Sequence, residues 1–426
     1  MRVAVVAGAR SPFTKAGNGM SSIGAYEIGR QVLHELVIRS GIDRKTIDEL
    51  IVGNVANPAE AENIARVVAL MAELPMSTSA YTVHRNCASA MQSISDGVMK
   101  ISGGYSDVII SGGVESMTNI PLFYSKSLAK KYEKLFRAKN IFDKLKVLSS
   151  VNLNDLKPVI GLEQGLTDPV SELIMGGTAE NIARDFNLSR KEQDEYALKS
   201  HQLASAATKS GRFAKEIVPV MAGGDKPVTE DNGIRHEQTM DALSKLKPIF
   251  AHDSYATVTA GNSSQVTDGA AFVILMSEER AKALGYKPLG YIRSSAYAGC
   301  DPSRMGMGPA YAVPKALTKA GLKLKDIDLV EINEAFAAVV LCNQKAWASQ
   351  KYCSENIGLS EPIGELNLDI TNVNGGAIAL GHPVGVSGTR LVLTLLHELA
   401  IRNKQYGLAT LCIGGGQGGA MVVERE

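Results

Sequence analysis

The chain has 426 residues and a mass of 45.3 kDa, enough at roughly 100–200 residues per domain for two or three domains or one large duplicated fold. Hydrophobic residues make up 45% and charged residues 21%, which excludes a disordered chain and leaves material for a sizeable core. Lys+Arg 45 against Asp+Glu 44 gives +1, without the basic excess of a nucleic-acid binder; no apolar run nears the roughly 18 residues of a bilayer span, and five cysteines, an odd number, do not make a disulfide scaffold.

Met1-Arg2 leads directly into Val3-Ala-Val-Val-Ala7 and Gly8. This run is too short for a signal peptide, and no Arg/Ser-rich transit segment precedes it. It is expected to be a buried first strand of a cytoplasmic protein with reduced thiols. Short apolar runs then alternate with helical patterns. Helices are predicted over 25–40, 88–101, 189–210, 313–320 and 388–402, and strands over 49–52, 108–110, 271–276, 329–332 and 408–413. Such alternation implies α/β layering around a buried sheet. Ser189 and Glu192 form a capping box for the helix of 190–210, and Gly211 can close its end.

Two stretches repeat. Ser40-Gly-Ile-Asp leading to Gly53 resembles Ala320-Gly-Leu-Lys leading to Asn333, an offset of 280. Asp107–Gly113 resembles Thr410–Gly415, an offset of 302. Two related halves imply a pseudo-two-fold core, with sites where the halves meet. Residues 119–250 read differently, with few alternating strands. Within them, 125–158 carries nine Lys/Arg against three Asp/Glu, a net of +6. Leu128, Tyr132, Leu135, Phe136, Phe142 and Leu145 are interleaved at helical spacing. A solvated amphipathic insertion is the plain reading. The sharper ones are a surface for a partner subunit, for phosphate-bearing ligands or for anionic lipid.

Cys87 stands in Val83-His-Arg-Asn-Cys87-Ala-Ser, between a strand-like run and a good helix. A thiol at a helix N-terminus would have its pKa lowered by unpaired N–H groups and the dipole. Those N–H groups can also hold an oxyanion. Taken alone, a buried structural cysteine is the commoner case. The segment Asn372–Thr389 crowds five glycines (375, 376, 381, 385, 388) around His382. That makes a poor core element but suits backbone approaching a ligand closely. His382, between Gly381 and Pro383, is a candidate base aimed by a rigid turn. Cys412 is delivered by a strand into Gly414-Gly-Gly-Gln-Gly-Gly419. The formal dinucleotide fingerprint there is rejected, because no βαβ unit can fit in the seven residues after it. Asn333 and Glu334 end a strand and are candidate polar site groups. No metal-ligand spacing, P-loop, serine elbow or zinc-protease helix is present. Two thiols, one imidazole and one amide form a consistent set for acyl transfer through a thioester.

Cys87-Ala-Ser, Asn333-Glu-Ala-Phe336, Gly381-His-Pro and Cys412-Ile-Gly-Gly, in this order and spread over essentially the whole chain, resemble the thiolase family (acetyl-CoA acyltransferases). The resemblance implies duplicated βαβαβαββ halves in an α/β/α/β/α core with an inserted loop domain. The N-terminal half would be 1–280, carrying Cys87 and the insertion at about 119–250. The C-terminal half would be 281–426, carrying His382 and Cys412. It implies Cys87 as nucleophile, His382 as its base, Cys412 as the acid and base at carbon and at incoming CoA, and Asn333 acting through a water on the thioester oxygen. The backbone N–H groups of Cys87 and Gly414 would hold the tetrahedral oxyanion. Ser264, Met305, Phe336 and Met175 match positions that line the CoA and acyl channel. CoA would be a co-substrate, with no permanently bound cofactor and no metal.

Ile174 stands where short-chain members carry a His, and the basic insertion is longer than theirs. Both favour degradative cleavage of 3-ketoacyl-CoA of broad or longer chain length, as in fatty acid β-oxidation. The expected partners are acyl-CoA and CoA, a second copy in a dimer or dimer of dimers, an α subunit with hydratase and dehydrogenase activity, and a membrane surface touched through 125–158, with no nucleic acid. The rivals are a biosynthetic acetoacetyl-CoA thiolase and, from another class, a non-catalytic acyl or lipid carrier on the same fold.

Overall fold

A computed structural model describes residues 1–426. Nine main strands are β1 (Val3–Arg10), β2 (Glu49–Gly53), β3 (Ser79–Val83), β4 (Val108–Ser116), β5 (Thr267–Ser277), β6 (Gly290–Gly299), β7 (Leu329–Ile332), β8 (Tyr406–Ile413) and β9 (Gln417–Glu424). They lie in the order β7-β8-β9-β6-β1-β5-β4-β2-β3. A five-strand and a four-strand sequence of elements are visible in that order. Counting outward from the centre, β1-β5-β4-β2-β3 on one side matches β6-β9-β8-β7 on the other. The missing fifth member is a single parallel bridge, Val330 to Thr371. The two sides join where β1 and β6 pair antiparallel, Val3 with Ile292 and Val5 with Gly290.

Alternation along the strands builds the layers. On β5, Ala270, Phe272, Ile274 and Met276 pack with Ile28, Val32 and Leu36 of helix Ala25–Ser40. Val273 and Leu275 face the other way, onto Met91 and Ile94 of helix Ser89–Ser102 and Leu391 and Leu395 of helix Ser387–Arg402. Those two helices are covered from beyond by Leu411 of β8 and Met421 and Val423 of β9. The opposite faces of β8 and β9, at Leu408 and Val422, meet helices Gly308–Ala320 and Ala337–Ala348. The result is α/β/α/β/α. Each fully buried Leu, Ile or Val in these layers contributes on the order of 1.5–3 kcal/mol before entropy is charged.

Helix and strand positions agree with the hydrophobic periods, and the Ser189–Glu192 capping box is present. Two readings shift. Helix Gly308–Ala320 begins five residues before the predicted 313, because Pro309 sits in its first turn, where the missing N–H costs nothing. The second repeat match slips. Ladder registers pair Glu49 with Ile109 and Leu329 with Gly407, so Ile109 corresponds to Gly407, four residues from where the Gly-Gly match puts it. The first match holds down to its turn, with Gly41 (φ 66°) and Gly321 (φ 68°) both left-handed helix ends.

The chain leaves the sheet after Ser116 and re-enters at Thr267, a wider excursion than 119–250. Within it, helices Lys126–Arg137 and Ile141–Ser149 pack on each other and bury only Leu128. No helix is long and apolar enough to cross a membrane.

Candidate active site

The site gathers where two central helices begin. β3 ends at Val83 and Asn86 turns the chain with a φ of 42°. Ser89 Oγ donates to the Asn86 carbonyl (2.7 Å) and accepts from the Arg85 N–H (2.9 Å), so the turn carrying Cys87 is fixed before helix Ser89–Ser102 starts. Asn86 Nδ2 donates to the Gly414 carbonyl at 2.7 Å, which ties this turn to the glycine loop after β8. The Gly414 N–H lies near enough to the Cys87 thiol to favour its charged form. The thiol lies above its ordinary value: burial pushes it up and the Glu115 charge adds to this, against the N–H groups of Gly414 and Cys87. The helix start therefore does not yield a resting thiolate, as its dipole alone would suggest. Desolvation outweighs it.

Cys412, next to last in β8, is fully buried. Burial holds its thiol well above the ordinary value, and charge on Cys87 raises it further, followed by Cys300. The two thiols, far apart in sequence, thus lie close enough for charge on one to act on the other.

His382 is buried and follows Gly381, whose φ of 105° and contact with Thr267 admit no side chain. Its N–H donates to the Gln265 carbonyl at 3.1 Å. Nδ1 is 2.6 Å from Ser387 Oγ, which in turn donates to the Pro383 carbonyl. Asn333 Nδ2 stands 3.4 Å from Nε2. This wiring suits the tautomer with the proton on Nδ1 and a bare Nε2. Burial, then the Arg390 charge, lowers His382 to about 3, so the ring is neutral near pH 7. Asn333 is fixed by its own N–H to the Thr410 carbonyl (2.9 Å), while its Oδ1 is buried with no protein partner, an acceptor left for substrate or water.

Of the predicted channel residues, Met175 and Ser264 lie beside segments of this centre. Met175, first residue of helix Met175–Asp185, brings its sulfur within 3.4 Å of where a Gly414 Cβ would stand. The Ser264 N–H donates to the Ala335 carbonyl at 2.9 Å, and Phe336 meets Phe250 edge-on at 5.9 Å. Met305 is buried in the core cluster against which Met175 packs. Glu334 is a scaffold: its carboxylate accepts from Tyr196 (3.0 Å), Ser200 (2.6 Å), Asn372 (2.9 Å) and the Ile378 N–H (3.1 Å), anchoring the glycine-rich segment to the end of β7. A cavity of about 540 Å³ opens elsewhere, beside Cys300, Tyr311 and Tyr352, and none of the four candidate catalytic side chains lines it. Sequence reasoning missed Asn86, Glu115, Ser387 and Arg390. Only Ser387 left a signal, five residues after His382 on the start of a helix.

The family models for the thiolase N-terminal domain and the thiolase C-terminal domain match residues 3–279 and 286–425. The chain belongs to the thiolase family. Among curated thiolases it is 41% identical over 427 residues to a 3-ketoacyl-CoA thiolase of Shewanella halifaxensis (strain HAW-EB4), covering 100% of this chain and 97% of that one. The Bacillus anthracis acetyl-CoA acetyltransferase superposes with a TM-score of 0.87 at 36% identity, covering 99% and 98% of the two chains. Human mitochondrial 3-ketoacyl-CoA thiolase in complex with CoA gives 0.85 at 36% identity, covering 100% and 98%.

Proposed function

We propose that this thiolase cleaves 3-ketoacyl-CoA with CoA, releasing acetyl-CoA and an acyl-CoA shortened by two carbons. The observation that carries the reading is the pair of thiols, half-buried Cys87 and buried Cys412, with a neutral imidazole whose Nε2 is bare. Cys87 attacks the keto carbon while His382 Nε2 takes the thiol proton. Burial opposes a resting thiolate–imidazolium pair, so the proton moves as the S–C bond forms. The Cα–Cβ bond then breaks and leaves the acyl group on Cys87. The electron pair passes into the enolate of acetyl-CoA, whose carbon takes the Cys412 proton. The Cys412 thiolate next deprotonates CoA. The CoA thiolate attacks the acyl-Cys87 carbonyl, and Cys87 leaves with the proton returned by His382.

Charge develops on oxygen twice. Asn333, through a water, and His382 suit the enolate oxygen. The N–H groups of Cys87 and Gly414 suit the tetrahedral oxyanion, each such donor typically being worth about 3–4 kcal/mol. Ser264, Met305, Phe336 and Met175 are assigned to the CoA and acyl channel. We assign residues 1–280 and 281–426 to the two thiolase halves, and a cytoplasmic setting. A second copy, an α subunit and an anionic bilayer are the proposed partners. The last would meet helices Lys126–Arg137 and Ile141–Ser149, where Phe136 and Phe142 are 96% and 80% exposed.

The biosynthetic alternative rests on the likeness to the acetyl-CoA acetyltransferase. Measuring kcat/KM for thiolysis of 3-ketoacyl-CoA from C4 to C16 separates the two. Higher values for longer chains are expected. Preference for acetoacetyl-CoA would replace the degradative reading, and no thiolysis of any chain length would leave the carrier reading.

A further inference from the structure

Glu115, next to last in β4, is fully buried, with no lysine or arginine paired to it. Each carboxylate oxygen instead accepts two N–H groups. Oε1 takes Asn54 Nδ2 (3.2 Å) and the Ala56 N–H (3.0 Å); Oε2 takes the Val55 N–H (3.1 Å) and the Gly385 N–H (2.9 Å). Three donors come from the loop after β2. The fourth comes from the turn between His382 and Ser387, 270 positions further along the chain. Contact there is tight: a Cβ at Gly385 would stand 2.6 Å from Glu115 Oε2, and one at Gly113 would overlap the Gly385 carbonyl oxygen. A buried carboxylate without a cation is costly. Only an ionised carboxylate accepts at all four positions while donating nothing, because Gln would turn an NH2 toward an N–H.

We propose that Glu115 is a positioning residue that locks the His382 turn onto the half of the chain carrying Cys87. The proposal rests on the reading of Cys87 as nucleophile and His382 as its base. Glu115 also acts on the thiol directly, since its charge opposes ionisation of Cys87. The groups facing it are Asp268, whose charge raises the Glu115 carboxyl, and Cys87. Burial, the larger effect, brings that carboxyl to about 7.

The test measures acylation of Cys87 by a 3-ketoacyl-CoA, using mass spectrometry, with kcat, KM and the pH profile of Cys87 alkylation by iodoacetamide. Glu115→Gln is expected to lower kcat on the order of 100-fold, the scale of a 1 Å misplacement, with KM little changed. Its Cys87 alkylation profile should move to lower pH, because a negative charge has gone. Gly385→Ala should reproduce the fall in kcat without the acid shift, since it breaks the clamp and keeps the charge. Wild-type turnover in Glu115→Gln, or lost stability with an unmoved alkylation profile, overturns the proposal. If Glu115→Gln does not fold, Gly385→Ala decides: unchanged kcat overturns the clamp and a fall at constant KM supports it. Wild-type enzyme that forms no acyl-Cys87 would instead overturn the underlying mechanism.

Discussion

Gly388 lies against Met91: a Cβ at Gly388 would overlap the Met91 nitrogen and stand 2.7 Å from the Met91 Cβ. Helix Ser387–Arg402, which begins just after His382, thus crosses helix Ser89–Ser102, which begins just after Cys87, with no room for a methyl group. The crossing sets how the two helix starts, and so the base and the nucleophile, stand to one another. Gly388→Ala is expected to destabilise the fold by about 1–3 kcal/mol through overpacking, read from urea denaturation. Any folded fraction should acylate Cys87 more slowly.

Cys87→Ser should nearly abolish turnover and leave no acyl-enzyme detectable by mass spectrometry. Cys412→Ser should cripple turnover yet still permit some acyl group on residue 87, because the attack precedes the proton delivery assigned to Cys412. Acyl label on Cys412 in the wild-type enzyme would reverse the two roles.

His382 carries a pH signature. Its folded value is lowered to about 3 from an ordinary 6.5 by burial and Arg390. Between those values the unfolded chain binds more protons than the folded one, so stability rises with pH across the window and is lost as pH falls through it. Each pKa unit is worth about 1.4 kcal/mol. Glu115 and Glu331, both raised to about 7, slope the opposite way. The difference between wild type and His382→Asn isolates the histidine: wild type should lose stability relative to the variant as pH falls from 6.5 toward 3. A pH-independent difference would show that the imidazole is not held neutral by the fold.

The exposed apolar hairpin predicts membrane contact. Cosedimentation with phosphatidylserine-containing vesicles should exceed that with neutral vesicles and weaken with salt, as each basic residue near an anionic surface contributes about 1 kcal/mol. Phe136→Ser combined with Phe142→Ser should reduce binding at least tenfold and leave thiolysis in solution unchanged. Equal binding by both proteins would assign the hairpin to another partner.

Much of the molecule was legible from residue types. Continuous apolar runs such as Ala271–Met276, the capping box at Ser189 and the left-handed glycines 41 and 321 are local chemistry, and local chemistry survives in sequence. Cys87, His382 and Cys412 stood out as candidates because small residues and glycines around a reactive side chain are a poor core, while they suit a backbone that must approach a ligand; Asn333 stood out because it ends a strand. Glu115 was not visible: nothing near it in the chain says that its oxygens meet a glycine 270 positions away. The lowering expected for Cys87 from its helix start was reversed for the same reason, because desolvation depends on the distant segments that pack over a group, whereas the dipole depends only on the helix next to it in the chain. Which elements form and which side chains can react is thus written along the chain. Which thiol is neutral, which nitrogen of His382 is bare and what holds the two halves in register are set by contacts between residues far apart in sequence, and those exist only once the sheet has closed around the two central helices.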